Sequence, residues 1–161
     1  MSTISMTINP DVLTTLARCT GIIATKMLAT NIMSVFPAIK AGCHAPEDSL
    51  MAARTGAPPQ TFGIGTEDSK DKSLLQHKLA LARANRVVMN DLENIPIGLL
   101  VLWVAAFVNP TPEVALLAKI FCAARVAHSV IYSLGIPFVR GFAFFAGIGC
   151  TVRAIILILT A

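Results

Sequence analysis

Long apolar stretches alternate along the chain with short polar interruptions, and four stretches are long enough for a helix to cross a bilayer. A hydrocarbon core of about 30 Å needs about 20 helical residues. The stretches at roughly 11–37, 76–108, 113–134 and 138–160 meet that length once a few polar residues are allowed inside them. Asn109-Pro110-Thr111-Pro112 joins the second span to the third, and Gly135-Ile136-Pro137 joins the third to the fourth. Short Pro/Gly connections of this kind link antiparallel helices. The first connection, about 38–75, contains Pro46, Gly56, Pro58, Pro59, Gly63, Gly65 and the charged run from Glu67 to Lys72, so it must lie in water. The expected fold is all-α: one integral membrane domain over residues 1–161, built as an up-down four-helix bundle, with no internal repeat.

Composition strengthens this picture. The chain is 55% hydrophobic and 14% charged, against about 25% charged residues in an ordinary soluble domain. That excludes disorder and argues against a soluble globule. Thirteen Lys and Arg against nine Asp and Glu leave a net charge of +4, and the basic residues are gathered rather than spread over a face. Lys40, Arg54, Lys70, Lys72, Lys78, Arg83 and Arg86 lie in or beside the long connection, and Arg140 lies at the third connection on the same side of an up-down bundle. The clustering reports topology, not a nucleic-acid partner. By the enrichment of cytoplasmic loops in Lys and Arg, the long loop faces the cytoplasm and both termini lie opposite. The segment before Pro10 lacks a basic n-region, so the first apolar stretch is expected to be retained. Cys19, Cys43, Cys122 and Cys150 form no CxxC or Cys/His cluster, so no metal site and no disulfide framework is expected.

The spans are not simple anchors. Lys26, Arg86, Asp91, Glu93, Arg125, His128 and Arg153 fall in or near them, where a charge costs about 2.5–3.5 kcal/mol on insertion scales. Such groups must find partners or water. In the second span Arg86, Asn90 and Glu93 recur at i, i+4 and i+7, so a cation, an amide and a carboxylate share one helical stripe. In the third, Arg125, His128 and Tyr132 recur at i, i+3 and i+7. Two readings stay open for these stripes: a cradle for a zwitterionic ligand, or an ion-pair network that locks helices together. Asp91 points away from the first stripe and reads as structural. Pro96 and Gly98 mark a kink or a close approach inside the second span. Arg140 reads either as a functional cation or as a snorkelling one.

The order Arg86-x-x-x-Asn90-Asp91-x-Glu93-Asn94, then Arg125-x-x-His128-x-x-x-Tyr132, then Arg140, closely resembles the MAPEG superfamily, the membrane-associated proteins of eicosanoid and glutathione metabolism. Pro46-Glu47-Asp48 and the Asp11 to Lys26 stretch add to the match, which spans about 10–160. The Asn90 to Asn94 core and the Arg125 to Tyr132 run look like the branch containing microsomal glutathione S-transferase 1 and microsomal prostaglandin E synthase 1. The resemblance implies a four-helix protomer, a homotrimer and glutathione bound between neighbouring subunits near the cytoplasmic side. It also implies residence in the endoplasmic reticulum or the mitochondrial outer membrane. Residue by residue, it carries a glutathione-binding role onto Arg86, Asn90, Glu93, His128, Tyr132 and Arg140, thiolate stabilisation onto Arg140, and assistance to catalysis onto Asp48.

The chain departs from the pattern at several positions. Pro37 stands where close relatives carry an arginine that contacts glutathione from the next subunit, and Ser49 replaces the cysteine whose modification activates the mammalian transferase. Met89 and Gly141 differ from an arginine and a serine of the prostaglandin synthase. Together these favour conjugation of glutathione to lipophilic electrophiles, with glutathione-dependent reduction of lipid hydroperoxides. Isomerisation of a prostaglandin endoperoxide and a non-catalytic lipid-binding scaffold are the alternatives.

Overall fold

The computed structural model describes residues 9–54, 56–58, 60, 72–136 and 138–161. The described residues form the helices α1 (Pro10–Lys40), α2 (Ser49–Arg54), α3 (Lys72–Val108), α4 (Pro112–Ser133) and α5 (Val139–Leu159), with a 3-10 turn at Pro46–Asp48. Residues 61–71, which hold most of the charged run read from the first connection, and Pro137 lie outside the described residues. The four long helices are each apolar and long enough to cross a membrane. At 1.5 Å per residue a helix of α4's 22 residues is about 33 Å long, one hydrocarbon core. At 31 and 37 residues, α1 and α3 exceed that need.

Local chemistry sets the helix ends. The Asn9 side-chain oxygen accepts from the amides of Asp11 (3.1 Å) and Val12 (3.4 Å), and Pro10 follows at the first helical position. Helix α4 begins with Pro112 after an extended Thr111. It ends in a Schellman arrangement, with the Ile136 amide donating to Ile131 O, the Gly135 amide to Tyr132 O, and Gly135 at φ 72°. The expected end of the first span at Pro37 is three residues short. Pro37 sits inside α1, and its carbonyl accepts from the Ala41 amide.

The chain divides into two compact units, Met1–Met27 with Asn90–Ala161, and Leu28–Met89. Within the first, side-chain contacts fix the topology. Asn9 Nδ2 donates to Pro110 O at 3.3 Å, the Cys122 thiol donates to Cys19 O at 3.8 Å, and Lys26 and Ser129 both reach Asp91, so α1 and α4 run parallel. Trp103 Nε1 donates to Thr20 Oγ1 at 3.2 Å, while Lys26 meets Asp91, so α1 and α3 run antiparallel. Arg153 meets Glu113 and Arg125 meets Phe144, so α4 and α5 also run antiparallel. Up-down order follows from these pairs alone.

Lipid tails are as apolar as the side chains, so close packing rather than water exclusion must hold such helices together. Small residues allow it: Ala105, Ala106, Ala118 and Ala154 are fully enclosed beside Leu16, Leu102, Phe121 and Leu157. A Cβ placed on Gly98 would run into the Phe121 ring. Gly98 therefore marks the close approach that the sequence signalled.

In the second unit α1 ends in another Schellman arrangement, with Cys43 N donating to Ala38 O (2.9 Å), Gly42 N donating to Ile39 O (3.1 Å), and Gly42 at φ 70°. The 3-10 turn and α2 follow inside the expected loop. Ala41 and His44 are buried, while Ile32, Met33, Val35 and Phe36 are exposed.

Candidate functional site

At the end of the first unit nearest Met27, α1, α3, α4 and α5 enclose a layer of polar groups. Lys26 is ion-paired with Asp91, and Asp91 also accepts from Ser129 Oγ at 3.5 Å. Asp91, Arg125, His128 and Ser129 are all buried. Arg125 donates from one terminal nitrogen to Asn90 Oδ1 at 3.3 Å and from the other to Phe144 O at 3.4 Å. Its guanidinium carbon lies 5.4 Å from the Phe121 ring centre and 5.6 Å from that of Phe144. Stacking on aromatic faces supplies part of what hydration would. A Cβ on Gly147 would strike this guanidinium, so the glycine opens the slot that holds it.

From this layer a line of rings leads outward. His128 packs 6.2 Å from Phe144 and 5.8 Å from Tyr132, measured between ring centres. The Arg140 guanidinium lies over the Tyr132 ring at 4.6 Å. Burial falls along the line, from Arg125 and His128 through half-buried Tyr132 to exposed Arg140. An anion could therefore meet the outermost cation without crossing the packed interior.

Of the residues singled out from the sequence, Asn90, His128, Tyr132 and Arg140 belong to this connected set in the first unit. Glu93 also belongs to that unit and is exposed on α3. Arg86 and Asp48 belong to the second unit, where both are exposed, Arg86 on α3 and Asp48 at the end of the 3-10 turn. Asp91, off the stripe, is taken up in an ion pair with Lys26 that bridges α1 and α3. Sequence reasoning put Arg125 on one stripe with His128 and Tyr132 and required a partner for Lys26, but it named neither partner and did not single out Ser129 or Gly147. The signal was there for Lys26, a cation near the middle of an apolar span that had to find a partner. Among the described residues no cluster of metal-ligating side chains occurs.

Four helices of bilayer-crossing length, with a charged layer sealed among four of them, define a multi-pass membrane protein. The sequence model of the MAPEG family matches residues 17–160, and the chain belongs to that family. Its members include glutathione-dependent enzymes, among them glutathione transferases, prostaglandin E synthase and leukotriene C4 synthase. Among curated proteins there is no match to the chain.

Proposed function

We propose that this protein is a membrane-bound glutathione transferase that joins the glutathione thiolate to lipophilic electrophiles and reduces lipid hydroperoxides with the same thiolate. The observation that carries the reading is the exposed Arg140 guanidinium, held over the Tyr132 ring at the mouth of the polar layer. Glutathione is anionic and water-soluble, and its electrophiles partition into lipid. A cation presented at the edge of a membrane bundle suits both. The ligand set proposed from the family resemblance is Arg86, Asn90, Glu93, His128, Tyr132 and Arg140, with Asp48 assisting and with the site completed in a homotrimer. Glu93, a carboxylate, suits the glutathione ammonium; the arginines suit its carboxylates.

A free thiol of pKa about 8.5 is only about 3% ionised at pH 7. Arg140 acting with a hydroxyl such as that of Tyr132 to lower the value by about two units would contribute roughly 2.7 kcal/mol and ionise most of the bound thiol. The thiolate so formed is intrinsically less reactive, by roughly eightfold at a Brønsted slope of about 0.45, against about a 25-fold gain in ionised fraction. Ionisation alone nets a few-fold, and the larger share must come from holding the thiolate against an electrophile concentrated in the acyl-chain region. In the conjugation, sulfur forms the new bond as the electrophile's leaving group departs. In the reduction, two glutathione molecules become one disulfide while the hydroperoxide becomes an alcohol and water.

The test is the ultraviolet absorbance of the thiolate on adding glutathione to purified protein in lipid, titrated against pH. Arg140→Leu should move the midpoint up toward that of the free thiol; an unchanged midpoint removes Arg140 from the role. Turnover of an aryl halide compared with a prostaglandin endoperoxide separates transferase from isomerase, and absence of glutathione binding by equilibrium dialysis would leave only a lipid-binding scaffold.

A further inference from the structure

We infer that Arg125 is a positioning residue: it locks the side-chain amide of Asn90 in one orientation, so that the site presents a hydrogen-bond donor at this point and selects an acceptor oxygen of the ligand. The inference rests on the glutathione reading above and adds to it the polarity of one contact. A guanidinium carries five donors and no acceptor. Only the Asn90 oxygen can face it, and the observed bond from Arg125 to Oδ1 is 3.3 Å. Because oxygen and nitrogen share one planar carbon, Nδ2 is turned away from Arg125. Among the described residues Nδ2 donates to no partner, while the backbone carbonyl of Asn90 is already occupied by Asn94 Nδ2 at 2.9 Å. A half-buried amide thus turns two unused donor hydrogens away from Arg125, while its oxygen faces the guanidinium.

The lock itself is held from several sides. Arg125 is 1% exposed. Its second terminal nitrogen is tied to Phe144 O, its guanidinium lies near the rings of Phe121 and Phe144, and a Cβ on Gly147 would strike it. Rotating the Asn90 amide would set its NH2 against a guanidinium that can accept nothing, and would cost the Arg125 bond its acceptor. The donor hydrogens turned away from Arg125 favour a carboxylate or a carbonyl of the ligand at Asn90.

The test uses the full chain in lipid nanodiscs, labelled glutathione as the probe in equilibrium dialysis, and thermal unfolding as the measure of fold. Asn90→Asp keeps a partner for Arg125, in fact a charged one, and removes the donor. It should unfold no earlier than the parent chain yet bind glutathione at least about tenfold more weakly. Arg125→Gln, which can offer either end of an amide to Asn90, should weaken binding several-fold, and Arg125→Lys, again a pure donor, should recover part of the loss. Should the Arg125 variants fail to fold, Asn90→Asp decides alone. Binding by folded Asn90→Asp within twofold of the parent overturns the inference while leaving the glutathione reading intact; a parent chain that binds no glutathione overturns both.

Discussion

The first unit holds an ion pair near each end, and the two differ in almost every respect. Near Met27, Lys26 and Asp91 are sealed, with side-chain exposures of 11% and 3%. At the other end, Arg153 and Glu113 form a two-pronged bridge of 2.6 and 3.1 Å whose members stay 47% and 41% exposed. The open bridge has the better geometry, yet the sealed one constrains the molecule more. Two charges taken out of solvent each lose several kcal/mol of hydration, and only their mutual attraction and added hydrogen bonds restore it. The sealed layer also contains Arg125, so one carboxylate answers two cations among the described residues. Polarity packed in this way fixes helix register and leaves a positive interior behind the open face that carries Arg140.

The comparison predicts its largest effect at Asp91. Asp91→Leu removes the one carboxylate that the sealed layer holds among the described residues and leaves Lys26 and Arg125 without it. The expected loss is about 3–5 kcal/mol of stability, the usual result of breaking a buried pair from one side. Chemical unfolding in micelles would measure it. Replacing both members, Lys26→Met with Asp91→Leu, should return most of that loss. A single variant as stable as the parent would mean that Lys26 reaches water, and the contrast between the two ends would vanish.

This layer also shows what could be read in the sequence and what could not. The four long helices were legible because a bilayer sets a minimum apolar length and because Asn109 to Pro112 and Gly135 to Pro137 leave room for nothing but a reversal. The need for partners was legible from the cost of charge in a span. Which partners was not. Lys26 and Asp91 are 65 positions apart, and their pairing depends on how α1 and α3 pack, which neither helix encodes by itself. The one-residue offset of Asp91 from the Asn90 stripe, about 100° around the helix, separates their partners: Asp91 meets Lys26 and Ser129, Asn90 meets Arg125. Within the expected loop, the turn at Pro46 and helix α2 were passed over, although a proline followed by Glu47 and Asp48 is a start signal for a helical turn. Gly147 could not be singled out at all, because its meaning lies in a guanidinium from another helix.

Two glycines sharpen the comparison between rigid and adjustable parts of the unit. At Gly98 an added methyl meets the ring of fully buried Phe121. Aromatic rings in a packed interior yield only by moving their helix, so Gly98→Ala should cost about 1–3 kcal/mol, read from the same unfolding titration. At Gly147 the obstructed group is the end of the Arg125 side chain. Gly147→Ala should shift that group with a smaller loss of stability but raise the glutathione KM, since Asn90 loses its lock. Equal losses of stability at the two sites would show that the sealed layer is as unyielding as the hydrocarbon packing around Phe121.

The smallest effect is expected at the open bridge. Glu113→Gln deletes a charge whose partner, Arg153, keeps access to water and to lipid headgroups, so solvent can replace what the carboxylate supplied. Glu113 lies in the first turn of α4 and Arg153 six residues before the end of α5, from where a long cationic side chain can reach toward the interface. The unfolding midpoint should therefore stay within experimental scatter of the parent, and raising the salt concentration should narrow even a small difference. A loss comparable to that of Asp91→Leu, persisting in high salt, would reveal that this end is also shielded from solvent in the membrane, and that exposure alone does not separate the two pairs.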